Sequence, residues 1–127
     1  MKFFLHEHAW EDVLPYLTTA SSPKTVDLLV TESANVLWKA ARAGLIEKEQ
    51  VPVLYSSMEL LFTQGPLTLK PAPQFMAEAV SIAISLDTPV YDALFIAQAR
   101  SDHSTLVTAD RHQALGAKKY EVTTILV

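Results

Sequence analysis

Apolar residues recur along this chain at helical spacing in long stretches, separated by short unbroken apolar runs that read as strands. Trp10, Val13, Leu14 and Leu17 predict a helix over about 8–17, which Pro15 would kink or delay. Thr25-Val26 predicts a very short strand. Asp27 suits the cap of a helix running through Ala43 and stopped by Gly44, with Leu28, Leu29, Val30, Ala34, Val36, Leu37 and Trp38 packed along it. The alternative is a strand over 28–30 and a helix from Thr31; both put Glu32 in an early turn. Val51, Leu54, Tyr55, Met58, Leu61 and Phe62 form the stripe of a helix over 47–62, with Pro52 tolerated in its first turn. Gly65-Pro66 predicts a turn and residues 67–70 a short strand. A helix over 74–86 follows, carrying Phe75, Met76, Ala79, Val80, Ile82 and Ala83, with Asp87 as its cap or turn residue.

The densest apolar stretch, 88–110, organises the rest. Thr88 is suited to cap a helix and Pro89 to open it, because the missing proline N–H would have been unpaired there anyway. Val90, Ala93, Leu94, Phe95, Ile96 and Ala97 predict a helix to about Ser101 that is buried over most of its circumference. A turn at His103 and a strand over 105–108 lead to Asp110. A short helix over 111–117 and a closing strand over 120–127 complete the order: helix, strand, two helices, strand, two helices, strand, helix, strand. Strands joined by helical crossovers argue for a mostly parallel sheet covered on both faces.

Within these apolar elements a few polar residues stand out. Asp92 is the lone acid in the first turn of its helix, and Asp110 ends a strand. In an open α/β sheet such positions converge on one edge, where ligands bind. Crowded carboxylates repel unless they are protonated or bridged by a cation, and a divalent metal is a natural bridge. Glu32, Asn35 and Lys39 share one stripe of the second predicted helix. Taken alone, that stripe reads as a solvated face, with Glu32 paired to Lys39 or Arg42.

Val90-Tyr91-Asp92-Ala93-Leu94 followed by Leu106-Val107-Thr108-Ala109-Asp110 resembles the second half of a PIN domain of the VapC toxin type. Glu32-Ser33-Ala34-Asn35-Val36-Leu37-Trp38-Lys39, with Arg42-Ala43-Gly44, resembles that family's Glu-containing second helix. The resemblance spans about residues 2–127 and implies one three-layer α/β/α domain. It further implies a Mg²⁺- or Mn²⁺-dependent endoribonuclease with Glu32, Asp92 and Asp110 as metal-binding and catalytic residues. Asn35 would orient Glu32, and Thr108 would hold a carboxylate or water in place. It implies a homodimer, an RNA substrate and a small antitoxin protein as partners. PIN-like domains begin with a central strand ending in an Asp, and residues 2–5 resemble the segment that follows that strand. The expectation is therefore a chain lacking the first strand and the first family aspartate, by a start placed downstream or by truncation, with residues 1–5 as a substitute strand the third option. A set of acids one short predicts weak or absent cleavage, leaving a non-catalytic PIN-like RNA- or protein-binding module as one alternative and a phosphoryl-transfer α/β domain as another.

Composition narrows the classes. A chain of 127 residues, half apolar and 19% charged, reads as one folded domain and not as a disordered segment. It has no cysteine, so disulfides, thiol chemistry and cysteine zinc sites are excluded. The formal charge of −4 argues against a broad nucleic-acid-coating surface, though an acidic metal site contributes to it. No apolar run reaches the length of a membrane span, and a cytoplasmic location is the expectation. His6 and His8 at two-residue spacing share no helix face and read as surface. His103 and His112 flank the acids and read as polar surface, with contact to a substrate phosphate as the alternative.

Overall fold

A computed structural model describes residues 24–127 apart from Pro66. The helix predicted over 8–17, the paired histidines and the expected loss of the first strand all concern residues outside that set. The described chain runs through strand β1 (Lys24–Val26), helix α1 (Leu28–Arg42), helix α2 (Gln50–Gln64) and strand β2 (Thr68–Lys70). A 3-10 turn (Ala72–Phe75), helices α3 (Met76–Leu86) and α4 (Val90–Ser101), strand β3 (Leu106–Thr108), helix α5 (Arg111–Lys119) and strand β4 (Thr124–Leu126) follow. From the first short strand onward this is the predicted order.

The architecture is α/β. The described strands form two pairs, β1 beside β2 and β3 beside β4. Leu106, Val107 and Thr108 lie opposite Thr124, Ile125 and Leu126 in parallel register. A parallel pair needs a crossover connection, and α5 supplies it. Two compact units divide the described residues: Lys24 with Leu28–Leu69, and Thr25–Asp27 with Lys70–Val127.

In the first unit α1 packs against α2. Helix α1 buries Leu29, Ser33, Leu37 and Ala40, a stripe at three- and four-residue steps. It begins at Leu28, so the alternative strand over 28–30 does not form. Gly44 ends it in the left-handed region at φ 77°. There the Leu45 N–H reaches the Ala40 carbonyl at 2.9 Å and the Gly44 N–H reaches Ala41 at 3.1 Å, closing the helix as a Schellman motif. The predicted stripe of α2 is its less exposed face: Phe62 is buried, and Val51, Leu54, Tyr55, Met58 and Leu61 are half-buried. Helix α2 begins at Gln50 instead of Glu47, because residues 47–49 form a turn in which the Glu47 N–H donates to the Gln50 side chain at 2.8 Å.

The second unit is built on α4, which packs against α3, the 3-10 turn, α5 and β3. Every residue from Ala93 to Ala99 is buried, as its apolar sequence predicts. Two capping assignments need correction. Asp27 does not cap α1: its Oδ1 accepts the Ala72 N–H at 3.0 Å, and its own N–H donates to the Lys70 carbonyl at 2.8 Å. Its carboxylate thus secures a turn 45 residues away. Thr88 does not cap α4 either. Asp87 ends α3 in the left-handed region at φ 51°, a conformation that Asp tolerates better than most residues. The Thr88 N–H is drawn back to the Ala83 carbonyl at 3.1 Å, so Thr88 belongs to the close of α3. Pro89 is the N-cap, and its carbonyl accepts the N–H groups of Asp92 and Ala93 at 3.1 and 3.2 Å. Among the described residues the buried Thr88 hydroxyl has no hydrogen-bond partner. No single helix among them is long and apolar enough to cross a membrane.

Candidate functional site

The second unit brings the ends of three elements together through one side chain. Asp92 lies in the first turn of α4, where the helix dipole favours an acid, and it is half-buried. Thr108 ends β3 and is 3% exposed. The Val127 N–H donates to its carbonyl at 2.9 Å, extending the ladder with β4 to the last residue of the chain. Asp110 then turns the chain from strand to helix as the N-cap of α5, at φ −95° and ψ 113°. Its Oδ1 accepts two backbone N–H groups, His112 at 2.8 Å and Gln113 at 3.2 Å. These are donors that an uncapped helix would leave unpaired.

Gln113 joins these pieces. It is 4% exposed, and both ends of its amide are engaged. Its Oε1 accepts the Thr108 hydroxyl at 2.6 Å, and its Nε2 donates to the Asp92 backbone carbonyl at 3.1 Å. The Thr108 Oγ1 in turn accepts the Asp110 N–H at 3.0 Å. Asp92, Thr108 and Asp110 therefore belong to one hydrogen-bonded chain, all of it inside the second unit. Thr108 holds Gln113 and the Asp110 backbone.

Gln113 was not among the residues singled out from the sequence. The available signal was the spacing Asp110-x-x-Gln113, which matches a capping box. In that motif the Gln would reach back to the cap residue's own N–H. Here the Thr108 hydroxyl has taken that donor, and Gln113 turns inward instead.

Glu32 and Asn35 lie on α1 in the first unit, Glu32 half-buried and Asn35 exposed. On the same helix the Arg42 guanidinium sits 5.4 Å from the centre of the Trp38 ring, within cation–π range. His103 occupies the turn after α4 at φ 52° and His112 the first turn of α5, and both are exposed.

Within the second unit Asp92 and Asp110 offer only oxygen, the donor type that suits a hard divalent cation. Asp110 spends a single oxygen on both capping bonds, and among the described residues its Oδ2 takes no hydrogen bond. Also among the described residues, no group of three or more His, Asp or Glu side chains stands close enough together to hold a metal ion.

No family model matches the chain. It is 28% identical to ribonuclease VapC3 of Pyrobaculum aerophilum over 111 residues, which is 87% of this chain and 83% of that protein. A match this long reaches well beyond the short motifs around Glu32, Asp92 and Asp110. It supports a distant relationship to VapC ribonucleases.

Proposed function

We propose that this protein is a metal-dependent ribonuclease of the VapC type, hydrolysing RNA phosphodiesters. One observation carries the reading: the chain is similar over 87% of its length to a ribonuclease. Asp92 and Asp110 would hold Mg²⁺ or Mn²⁺ together with Glu32, and Asn35 would steady Glu32. A bound cation supplies Lewis-acid polarisation of the phosphodiester and a water of lowered pKa. Asp110 can serve the metal through Oδ2 while Oδ1 keeps its cap. Thr108 keeps Asp110 in place by accepting its N–H.

Titration calorimetry with Mg²⁺ and Mn²⁺, run beside cleavage of a mixed RNA pool, tests the reading. The expected result is a saturable metal site and fragments that vanish on chelation. Absence of metal uptake at millimolar concentrations would refute it. The second reading, a non-catalytic RNA- or protein-binding module, draws on the lack of a three-residue metal cluster among the described residues. It predicts RNA retention without metal and without cleavage.

The proposal extends to partners: a homodimer, and a small antitoxin protein that covers the acidic site. Met76, Val80 and Ile84 are exposed at four-residue steps on α3, alongside its buried Ala79, Ile82 and Ala83. Such a stripe serves a self-association face. Sedimentation at micromolar concentration should return a dimer, and Ile84→Asp should shift it toward monomer. A wild-type chain that sediments as a monomer would remove this part of the proposal.

A further inference from the structure

We infer that Gln113 is the positioning residue of the candidate site, setting the spatial relation between the Asp92 turn and the Asp110 turn; this inference rests on the ribonuclease reading above. Hydrogen-bond polarity fixes each partner in this chain. A backbone carbonyl can only accept, so the end of the Gln113 amide that faces Asp92 at 3.1 Å must be its NH₂. The other end is then the oxygen, which can only accept, so the Thr108 hydroxyl 2.6 Å away must donate its single proton to it. That leaves the Thr108 lone pairs to accept the Asp110 N–H at 3.0 Å, which can only donate. Every step has one allowed direction. The chain runs from the Asp110 N–H through Thr108 and Gln113 to the Asp92 carbonyl with no rotamer or flip left open. A fourth bond, from the Gln113 N–H to the Asp110 Oδ1 at 3.2 Å, returns to the carboxylate itself.

The burial of this chain gives it force. Thr108 is 3% and Gln113 4% exposed, so water cannot readily replace a lost partner. Gln113 is thus bonded to both late acids, one through its peptide carbonyl and the other through its carboxylate, and it sits between the elements that carry them. An apolar side chain of the same length would leave the Thr108 hydroxyl proton without its acceptor and take one donor from the Asp92 carbonyl. Groups that orient ligand-bearing residues in this way change metal affinity by roughly ten- to a hundredfold when removed.

The test compares Mn²⁺ uptake by electron paramagnetic resonance in the wild type, Gln113→Met, Thr108→Val and the double variant, with circular dichroism as the check on folding. Gln113→Met keeps the length and volume and removes both hydrogen bonds. The expected result is folded protein with Mn²⁺ affinity about tenfold weaker. Thr108→Val should lose a similar factor, and the double variant little more than either, since both break one chain. Thr108→Ser, which keeps the hydroxyl, should restore wild-type affinity. Equal Mn²⁺ affinity in folded wild type and Gln113→Met would overturn the role of Gln113 while leaving the ribonuclease reading standing. A wild type that takes up no Mn²⁺ would overturn both. Should Gln113→Met fail to fold, the intact protein decides. The Gln113 side-chain NH₂ resonances are expected to shift on adding Mg²⁺, and resonances that stay put would overturn the assignment.

Discussion

Asp92→Asn should weaken metal uptake about a hundredfold, removing with it whatever RNA cleavage the wild type shows, with no loss of fold. The substitution preserves shape and removes one charge from a half-buried acid in the first turn of α4. The backbone carbonyl that receives Gln113 is untouched, so the scaffold should survive. Asp110 needs a more careful comparison because it has two duties. As N-cap of α5 it accepts the N–H groups of His112 and Gln113. Asn caps a helix about as well as Asp, whereas replacement by Ala costs about 1 kcal/mol. Asp110→Asn should therefore lose cleavage and metal while staying close to wild-type stability. Asp110→Ala should lose those and also melt several degrees lower. Melting curves and Mn²⁺ binding on the three variants separate the duties. Full metal uptake by Asp92→Asn or Asp110→Asn would remove that acid from the site.

Phe95→Ala is expected to be the most damaging single truncation, costing about 3–5 kcal/mol. Phe95 is 2% exposed on the helix that contacts more of the second unit than any other. Its neighbours Leu94 and Ile96 are equally buried, so little space exists for collapse around the cavity. Against a total stability of roughly 5–15 kcal/mol, such a loss leaves a marginal fold. Four residues earlier on the same helix, Tyr91 is 62% exposed, and Tyr91→Ala should stay within about 0.5 kcal/mol of the wild type. Urea denaturation of the two variants checks the contrast. A Phe95→Ala protein destabilised by less than about 1 kcal/mol would mean that α4 is not the centre of the unit's core.

Much of this was legible in local sequence, because the forces concerned are local. The apolar run from Ala93 to Ala97 announced a buried helix, since no arrangement leaves so much apolar surface in water at low cost. The α2 stripe and the stop at Gly44 were readable for similar reasons of periodicity and backbone freedom. Asp92 and Asp110 drew notice as acids at the edges of apolar elements.

Other features depend on partners distant in the chain, and no local pattern names those. Asp27 has the chemistry of a helix cap, yet its carboxylate serves Ala72, because the chain brings that N–H within 3.0 Å. Thr88 has the same chemistry, but α4 begins one residue later than a Thr88 cap requires, with Pro89 as its N-cap, while the Thr88 N–H closes α3 onto Ala83. The β3–β4 pairing aligns residues 18 positions apart, and three-residue strands carry too few alternating positions to specify a partner by themselves. Gln113 is the sharpest case. Its spacing from Asp110 belongs to a helix start, but its role follows from Thr108 reaching the Asp110 N–H first and from the Asp92 carbonyl lying opposite. Local sequence thus determined which segments became helices and which acids stood at their ends. Only tertiary structure decided which hydrogen-bonding group each polar side chain would meet, because a donor or acceptor is satisfied by whichever partner the packing of distant segments delivers.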